Sequence, residues 1–274
     1  MNESPPIALT IAGSDPSGGA GLQADLKTFH TLGVYGASVV TLLTVQNTVG
    51  VQAVHCLPPE LVSSQLEAVC ADLSIQAAKT GALGNADTIE QVASFVGETS
   101  FPLIVDPVMI SKHGHAIIDD TAVEILQREL MPHATLVTPN RHEAERLTGI
   151  AIEGPDSLDH ACRSLLDSGA QSVLVKARFA DRMLDCYTDH DGSDTFETPR
   201  QISSRTHGSG CVLSAAITAL HASGQSLHQS IRLARDFVAQ RIASASDIGK
   251  GIQPLNLLPN GHHVSTKPSQ KKGL

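Results

Sequence analysis

Ile7-Ala8-Leu9-Thr10-Ile11-Ala12-Gly13-Ser14-Asp15-Pro16-Ser17-Gly18-Gly19-Ala20-Gly21 is the stretch that decides the fold. Its first five residues form a short apolar run that breaks at a cluster of Gly, Ser and Asp. This reads as a buried strand emptying into a glycine-rich loop. From about Leu22 to Leu32 the pattern turns helical, with Leu22, Leu26 and Phe29 on one face and Asp25 inside the segment; Gly33 supplies the stop. A strand apolar on both faces, followed by a loop and a helix, is the opening unit of an α/β fold.

The same alternation extends outward. Ser38 to Val45 reads as a strand delivering Gln46-Asn47-Thr48, and Val51 to His55 as a second strand that forms a small flap. Helices are expected over Pro58–Ala71, Asp87–Val96, Thr121–Leu130, Glu143–Leu147 and Leu158–Ser168. Between them lie the strands Ile75–Lys79, Leu103–Val105, Leu136–Thr138 and Val173–Val175. Met183–Tyr187 and Thr195–Glu197 read as an antiparallel pair around Asp191-Gly192, and helices near 210–223 and 226–245 complete the pattern. Continuous apolar strands alternating with helices imply a mostly parallel sheet covered on both faces. Gly13, Gln46, Thr80, Asp106, Asn140 and Lys176 all fall at the C-terminal ends of strands, the edge where open α/β sheets bind ligands.

A hydrophobic fraction of 41% in 274 residues gives a soluble globular reading, with one domain over residues 1–258 and a polar, disordered tail at 259–274. The net charge of −9 and the absence of Trp argue against nucleic acid and against an anionic membrane surface. No apolar run reaches spanning length, and the first residues do not resemble a signal peptide. The five cysteines, at 56, 70, 162, 186 and 211, form neither a disulfide framework nor a CxxC pair, which suits a reduced, cytoplasmic protein. His113, His115, His262 and His263 read as solvated rather than metal-binding.

A second decisive stretch is Thr206-His207-Gly208-Ser209-Gly210-Cys211, which runs directly into the apolar helix beginning Val212-Leu213-Ser214. Two glycines let the backbone turn tightly, and the helix start aims unpaired N–H groups at one point, a ready anion site. Cys211 stands at its mouth, where a thiol pKa is expected to fall. Taken alone, the stretch also fits a glycine-rich turn before a structural cysteine.

Three stretches together resemble the ribokinase superfamily, in its vitamin-kinase branch: Ala12 to Asp25, Asp106-Pro107-Val108-Met109, and Thr206 to Cys211. Within that branch the chain is most similar to the hydroxymethylpyrimidine/phosphomethylpyrimidine kinase family of thiamin synthesis, over roughly residues 7–255. The first stretch is highly specific, whereas the anion loop alone marks only the superfamily. The resemblance implies a ribokinase-like three-layer α/β fold and ATP-dependent, Mg²⁺-assisted phosphorylation of a small aminopyrimidine. It also implies a homodimer. It places Gly13, Ala82 and Val108 in the acceptor pocket, with Asp25 and Gln46 hydrogen-bonding the pyrimidine. Gly208, Ser209 and Gly210 become the anion hole, and Cys211, as thiolate, the group that accepts the hydroxymethyl proton. Asp106, Asn140, Glu143, Lys176 and Thr206 fall to the ATP side, with Asp106 and Glu143 toward the metal. Asn140-Arg141-His142-Glu143 is equally an ordinary helix start with Glu at the third position. The loop at 17–21, the flap near 47–55 and Lys112–His115 are candidates to close over the site.

The chain departs from the family pattern at Ala82, Ala177-Arg178-Phe179, Arg205 and Gly249-Lys250-Gly251. Ala82 enlarges the expected pocket, and Arg178 or Arg205 offers a substitute phosphate contact. Pyridoxal kinase on the same fold is the nearest alternative activity. A catalytically weak pyrimidine-binding protein is the alternative from another class.

Overall fold

The molecule is described here from a computed structural model covering residues 4–110, 114, 117–180, 182–199 and 205–258. Nine strands form one sheet: β1 (Ile7–Ser14), β2 (Tyr35–Gln46), β3 (Val51–Cys56), β4 (Ala77–Thr80), β5 (Leu103–Val105), β6 (Leu136–Val137), β7 (Ser172–Arg178), β8 (Arg182–Asp189) and β9 (Ser193–Pro199). Their spatial order is β3-β2-β1-β4-β5-β6-β7-β8-β9. The middle of the sheet, from β2 through β7, is parallel, while β3 pairs antiparallel with β2, and β8 and β9 extend the other edge antiparallel.

The helices are α1 (Gly21–Thr31), α2 (Pro59–Asp72), α3 (Ala86–Gly97), α4 (Asp120–Ile125), α5 (Arg141–Thr148), α6 (Pro155–Asp167), α7 (Ser209–Ala222) and α8 (Leu227–Ala243). Strand periodicity sorts their partners, because successive side chains point to opposite faces. Leu9, Ile11, Leu103 and Val105 point into a core shared with α2 to α6. Ala8, Ala77 and Ile104 point the other way, toward α1, α7 and α8. The result is the three-layer arrangement expected from the unbroken apolar strands. No helix among the described residues is long and apolar enough to cross a membrane.

One helix differs from the sequence reading. The segment expected as a helix from Thr121 to Leu130 leaves α4 after Ile125 and continues as a π-helical turn, Leu126–Leu130, then a 3₁₀ turn at Met131–His133. Pro132 is the cause: it has no N–H to give the carbonyl four residues back, and its ring crowds that carbonyl. The tail from Pro259 onward lies outside the described residues, as do Lys112, His113, His115, His262 and His263.

Candidate active site

Strand order reverses direction at β1, with β2 on one side and β4 on the other, so the crevice beyond their C-terminal ends is the natural ligand position. A cleft of about 830 Å³ opens there, running from Gly13 and Gln46 past Cys211 to Lys176 and Arg235.

At one end, Gly13 closes β1 against Leu42, where an added Cβ would stand 2.5 Å from the Leu42 Cδ1. Ala82 and Val108 line the same end. Thr41 Oγ1 donates to the Ala82 carbonyl at 2.6 Å, fixing the turn after β4. Gln46, the last residue of β2, reaches in from the flap side.

Asp25 is the expected acceptor contact. It is fully buried in α1 behind this wall, accepting from Thr10 Oγ1 at 2.7 Å and from Lys79 Nζ at 2.9 Å. Its other carboxylate oxygen, Oδ1, is buried with no hydrogen-bond partner among the described residues. Its helix position explains the burial, since Asp25 shares the apolar stripe of Leu22 and Phe29. Lys79, which the sequence reading left unassigned, is the counter-charge. It too is fully buried, and it lines the cleft floor. Burial pushes the Asp25 carboxyl up, while the Lys79 ammonium is held above its usual range by the Asp25 charge despite burial. An ionisable residue at the end of a strand read as buried was the available signal, because such a charge requires a partner.

In the middle, Gly208 caps α7 with φ +78°, and a Cβ there would strike the Gly19 carbonyl. The first intrahelical bond runs from Val212 N to the Gly208 carbonyl. Helix geometry therefore leaves the Gly210 and Cys211 N–H groups without intrahelical acceptors. The Ser209 N–H turns back onto the Thr206 carbonyl at 3.3 Å, so it is less available than expected. The Cys211 thiol is shifted opposite to the direction expected at a helix start. Burial pushes it up to about 12, the Asp25 carboxylate adds to the rise and Lys79 opposes it. Cys211 is only partly buried, and the surroundings that raise its thiol act against the helix dipole.

At the other end, Asp106 follows β5, with Lys176 Nζ 3.6 Å from its Oδ1 and Ser214 Oγ donating to its Oδ2 at 3.2 Å. Asn140 and Glu143 form a full capping box on α5: Glu143 N donates to Asn140 Oδ1 at 3.1 Å, and Asn140 N to Glu143 Oε2 at 2.8 Å. The motif read both as a helix start and as a phosphate-side pair is at least the first, and both side chains line the cleft. Burial raises the Glu143 carboxyl to about 7, and the Asp106 charge adds to this while Lys176 opposes it. Two carboxylates that repel one another beside a single lysine form an oxygen-rich, charge-unbalanced pocket. Arg178 lines this end, whereas Arg205 pairs with Asp247 at 3.1 Å.

A third set of residues escaped the sequence reading. Asp15 accepts from Ser17 N and Ala20 N, each at 2.9 Å, and faces His207 Nε2 at 2.9 Å. Arg235 Nε donates to Asp185 Oδ2 at 2.8 Å in the cleft wall beside Lys176. The C-terminal segment straps these parts together. Ile252 N donates to the Thr48 carbonyl at 2.9 Å, and His207 N to the Gln253 carbonyl at 3.0 Å.

Comparison with known proteins gives relatives over most of the chain. The family model described as phosphomethylpyrimidine kinase matches residues 15–256. A hydroxymethylpyrimidine/phosphomethylpyrimidine kinase of Staphylococcus aureus is 41% identical over 92% of this chain and 93% of its own length. That of Haemophilus influenzae is 43% identical over 90% of this chain and 95% of its own. Among solved structures, the Bacillus subtilis pyridoxal kinase in complex with ADP superimposes with a TM-score of 0.85 at 32% identity, covering 92% of this chain and 97% of that one. The Clostridium difficile phosphomethylpyrimidine kinase gives 0.77 at 36% identity, covering 85% and 98%.

Proposed function

Because the chain belongs to the phosphomethylpyrimidine kinase family, we propose that this cleft carries out the reaction for which its relatives are named. The enzyme uses ATP to phosphorylate hydroxymethylpyrimidine and then its monophosphate, in thiamin biosynthesis. One observation carries the assignment of parts. An acceptor end (Gly13, Gln46, Ala82, Val108) and a charged end (Asp106, Asn140, Glu143, Lys176) meet at the free N–H groups of Gly210 and Cys211.

The acceptor's hydroxymethyl oxygen lies at Cys211 and attacks the terminal phosphorus in line, and ADP departs toward Lys176. The N–H groups of Gly210 and Cys211, on a loop shaped by Gly208, stabilise charge on the transferring group. Thr206 and Ser209 hold that loop in shape through their own backbone bond. Cys211 is a thiol at rest. It can therefore take the hydroxyl proton only as a relay, passing its own S–H proton to an oxygen of the transferring phosphoryl group as the oxygen–phosphorus bond forms. Positioning supplies most of the acceleration.

Asp106 and Glu143 suit Mg²⁺. They are hard oxygen donors, too few to cage a metal, as expected for an ion that keeps water and substrate phosphate oxygens in its shell. When bound, it neutralises phosphate charge. Lys79 and Asp25 sit beneath the acceptor end as a neutralised pair, with Asp25 Oδ1 unpartnered among the described residues. Homodimerisation belongs to the proposal as well; the exposed Leu43, Val45 and Val49 along the flap support it, and sedimentation tests it.

The pyridoxal kinase neighbours superimpose better than the pyrimidine kinase does, which favours pyridoxal as a second acceptor to try. ATP turnover with hydroxymethylpyrimidine, its monophosphate and pyridoxal in parallel, with Cys211→Ala as control, tests the whole reading. Turnover of both pyrimidines supports it. Turnover of pyridoxal alone moves the assignment, and pyrimidine binding without turnover sinks the kinase.

A further inference from the structure

His207 stands between the phosphate loop and the acceptor pocket, with its ring enclosed. A Cβ on Gly19 would come 2.4 Å from its Cδ2, so that backbone already packs closely on the imidazole. The His207 N–H is tied to Gln253, and the side chain is 2% exposed. One ring atom, Nε2, faces Asp15 Oδ2 at 2.9 Å and the Gln46 side-chain Nε2 at 3.5 Å.

The chemistry of that triangle constrains all three groups. Asp15 takes two backbone N–H bonds and is held below its usual carboxylate range, the His207, Ser17 and backbone contacts outweighing burial. A carboxylate can only accept, so His207 Nε2 carries a proton, whether the ring is neutral or charged. An amide nitrogen 3.5 Å from that nitrogen sets donor against donor. Turning the Gln46 amide by half a revolution replaces the conflict with an oxygen that shares the Nε2–H, and amide nitrogen and oxygen differ only by that turn. The Gln46 NH₂ then faces the cleft.

We infer that His207 is a specificity-positioning residue: held by Asp15, it turns the Gln46 amide so that the acceptor meets an N–H donor. Gln46 then selects a ring with an unprotonated nitrogen at that point. A ring with C–H there leaves the amide unpaired. The inference rests on the reading of Gln46 as an acceptor contact, and the test separates the two.

The readout is the ratio of kcat/KM for hydroxymethylpyrimidine to kcat/KM for its two pyridine analogues, each with one ring nitrogen replaced by C–H. The unmodified enzyme rejects one analogue by at least about tenfold, the scale of one lost buried hydrogen bond. Gln46→Ala brings the ratio near one. His207→Asn, too short to reach Asp15 from the Nε2 position, brings it down as far, and combining it with Gln46→Ala lowers it no further. His207→Gln, whose terminal amide can take the place of Nε2–H, preserves it. A merely structural His207 would lower turnover of all acceptors alike and leave the ratio intact, which overturns the inference. A ratio that survives Gln46→Ala overturns the acceptor reading of Gln46 itself, and the inference with it. Nitrogen NMR of the unmodified protein gives a test independent of how the variants fold, because an Nε2 without a proton also overturns it.

Discussion

Gly208 and Gly19 meet backbone to backbone: a Cβ added to Gly208 would lie 1.9 Å from the Gly19 carbonyl oxygen. The contact joins the loop after β1 to the cap of α7, and no flexible side chain is present to yield. Gly208 also has φ +78°, a conformation that costs an L residue roughly 1–2 kcal/mol. Gly208→Ala is expected to move the loop that carries the phosphate donors and to lower kcat by about 10²-fold, the scale of a lost anion-hole donor. Steady-state kinetics beside a urea melt checks it, and wild-type turnover would show that the cap geometry is dispensable.

Lys79 and Asp25 form an ion pair sealed from solvent, with side-chain exposures of 0% each. Removing one partner strands the other. Lys79→Met is expected to cost about 3–5 kcal/mol, and the double variant Lys79→Met/Asp25→Leu to recover much of that. Urea denaturation of the three proteins decides. Equal losses in the single and double variants would mean that the pair is not ionised in the fold.

The Cys211 thiol, pushed up to about 12, is expected to alkylate slowly at neutral pH, its rate climbing about tenfold with each pH unit and reaching no plateau by pH ~9, because only the thiolate reacts. Cys211→Ala is expected to lower kcat by about 10²-fold or less, the low end for an acid–base group. Iodoacetamide labelling followed by peptide mass spectrometry reads the first. A thiol that titrates near pH 7 would return Cys211 to the role of a resting thiolate.

Glu143 retains its proton to about pH 7 in the fold, against 4.5 for an ordinary glutamate. The stability this confers is fully present below pH ~4.5 and is lost as pH rises through 7, where burial of the charge becomes a penalty. Glu143→Gln keeps an oxygen for the cap and cannot ionise. Without metal or nucleotide it is expected to exceed the wild type at pH 8 by on the order of 3 kcal/mol, the gap closing toward pH 5. Melting curves across that range test this, and parallel profiles would contradict it.

The layered fold was legible because the parallel strands are apolar on both faces and their loops are punctuated by Gly, Pro and Asn. Residues at strand ends could be listed as one edge on the same ground, and the cleft gathers most of them. Asp25 shows where such reading stops. Its place on the stripe of Leu22 and Phe29 predicts burial, but the partner that makes burial tolerable lies on β4, 54 residues away. The Cys211 thiol shows the same limit. A helix start is visible in sequence, whereas the surroundings that act against it depend on α1 and β4 packing around it. His207 needed three distant segments to acquire a role.

Asp15 and His207 are separated by 192 residues, and helix α7 covers Ala8 and the Phe29 side of the sheet's first strand. During synthesis α1 can cover part of that face of β1 at once, and the rest waits until α7 has left the ribosome. The first five strands can assemble earlier, but the phosphate cradle forms only when the late helix docks. A chain interrupted before Thr206 would offer chaperones a partly uncovered apolar sheet and would hold nucleotide poorly. The phosphate cradle is thus finished only once the segment that follows β9 has been made.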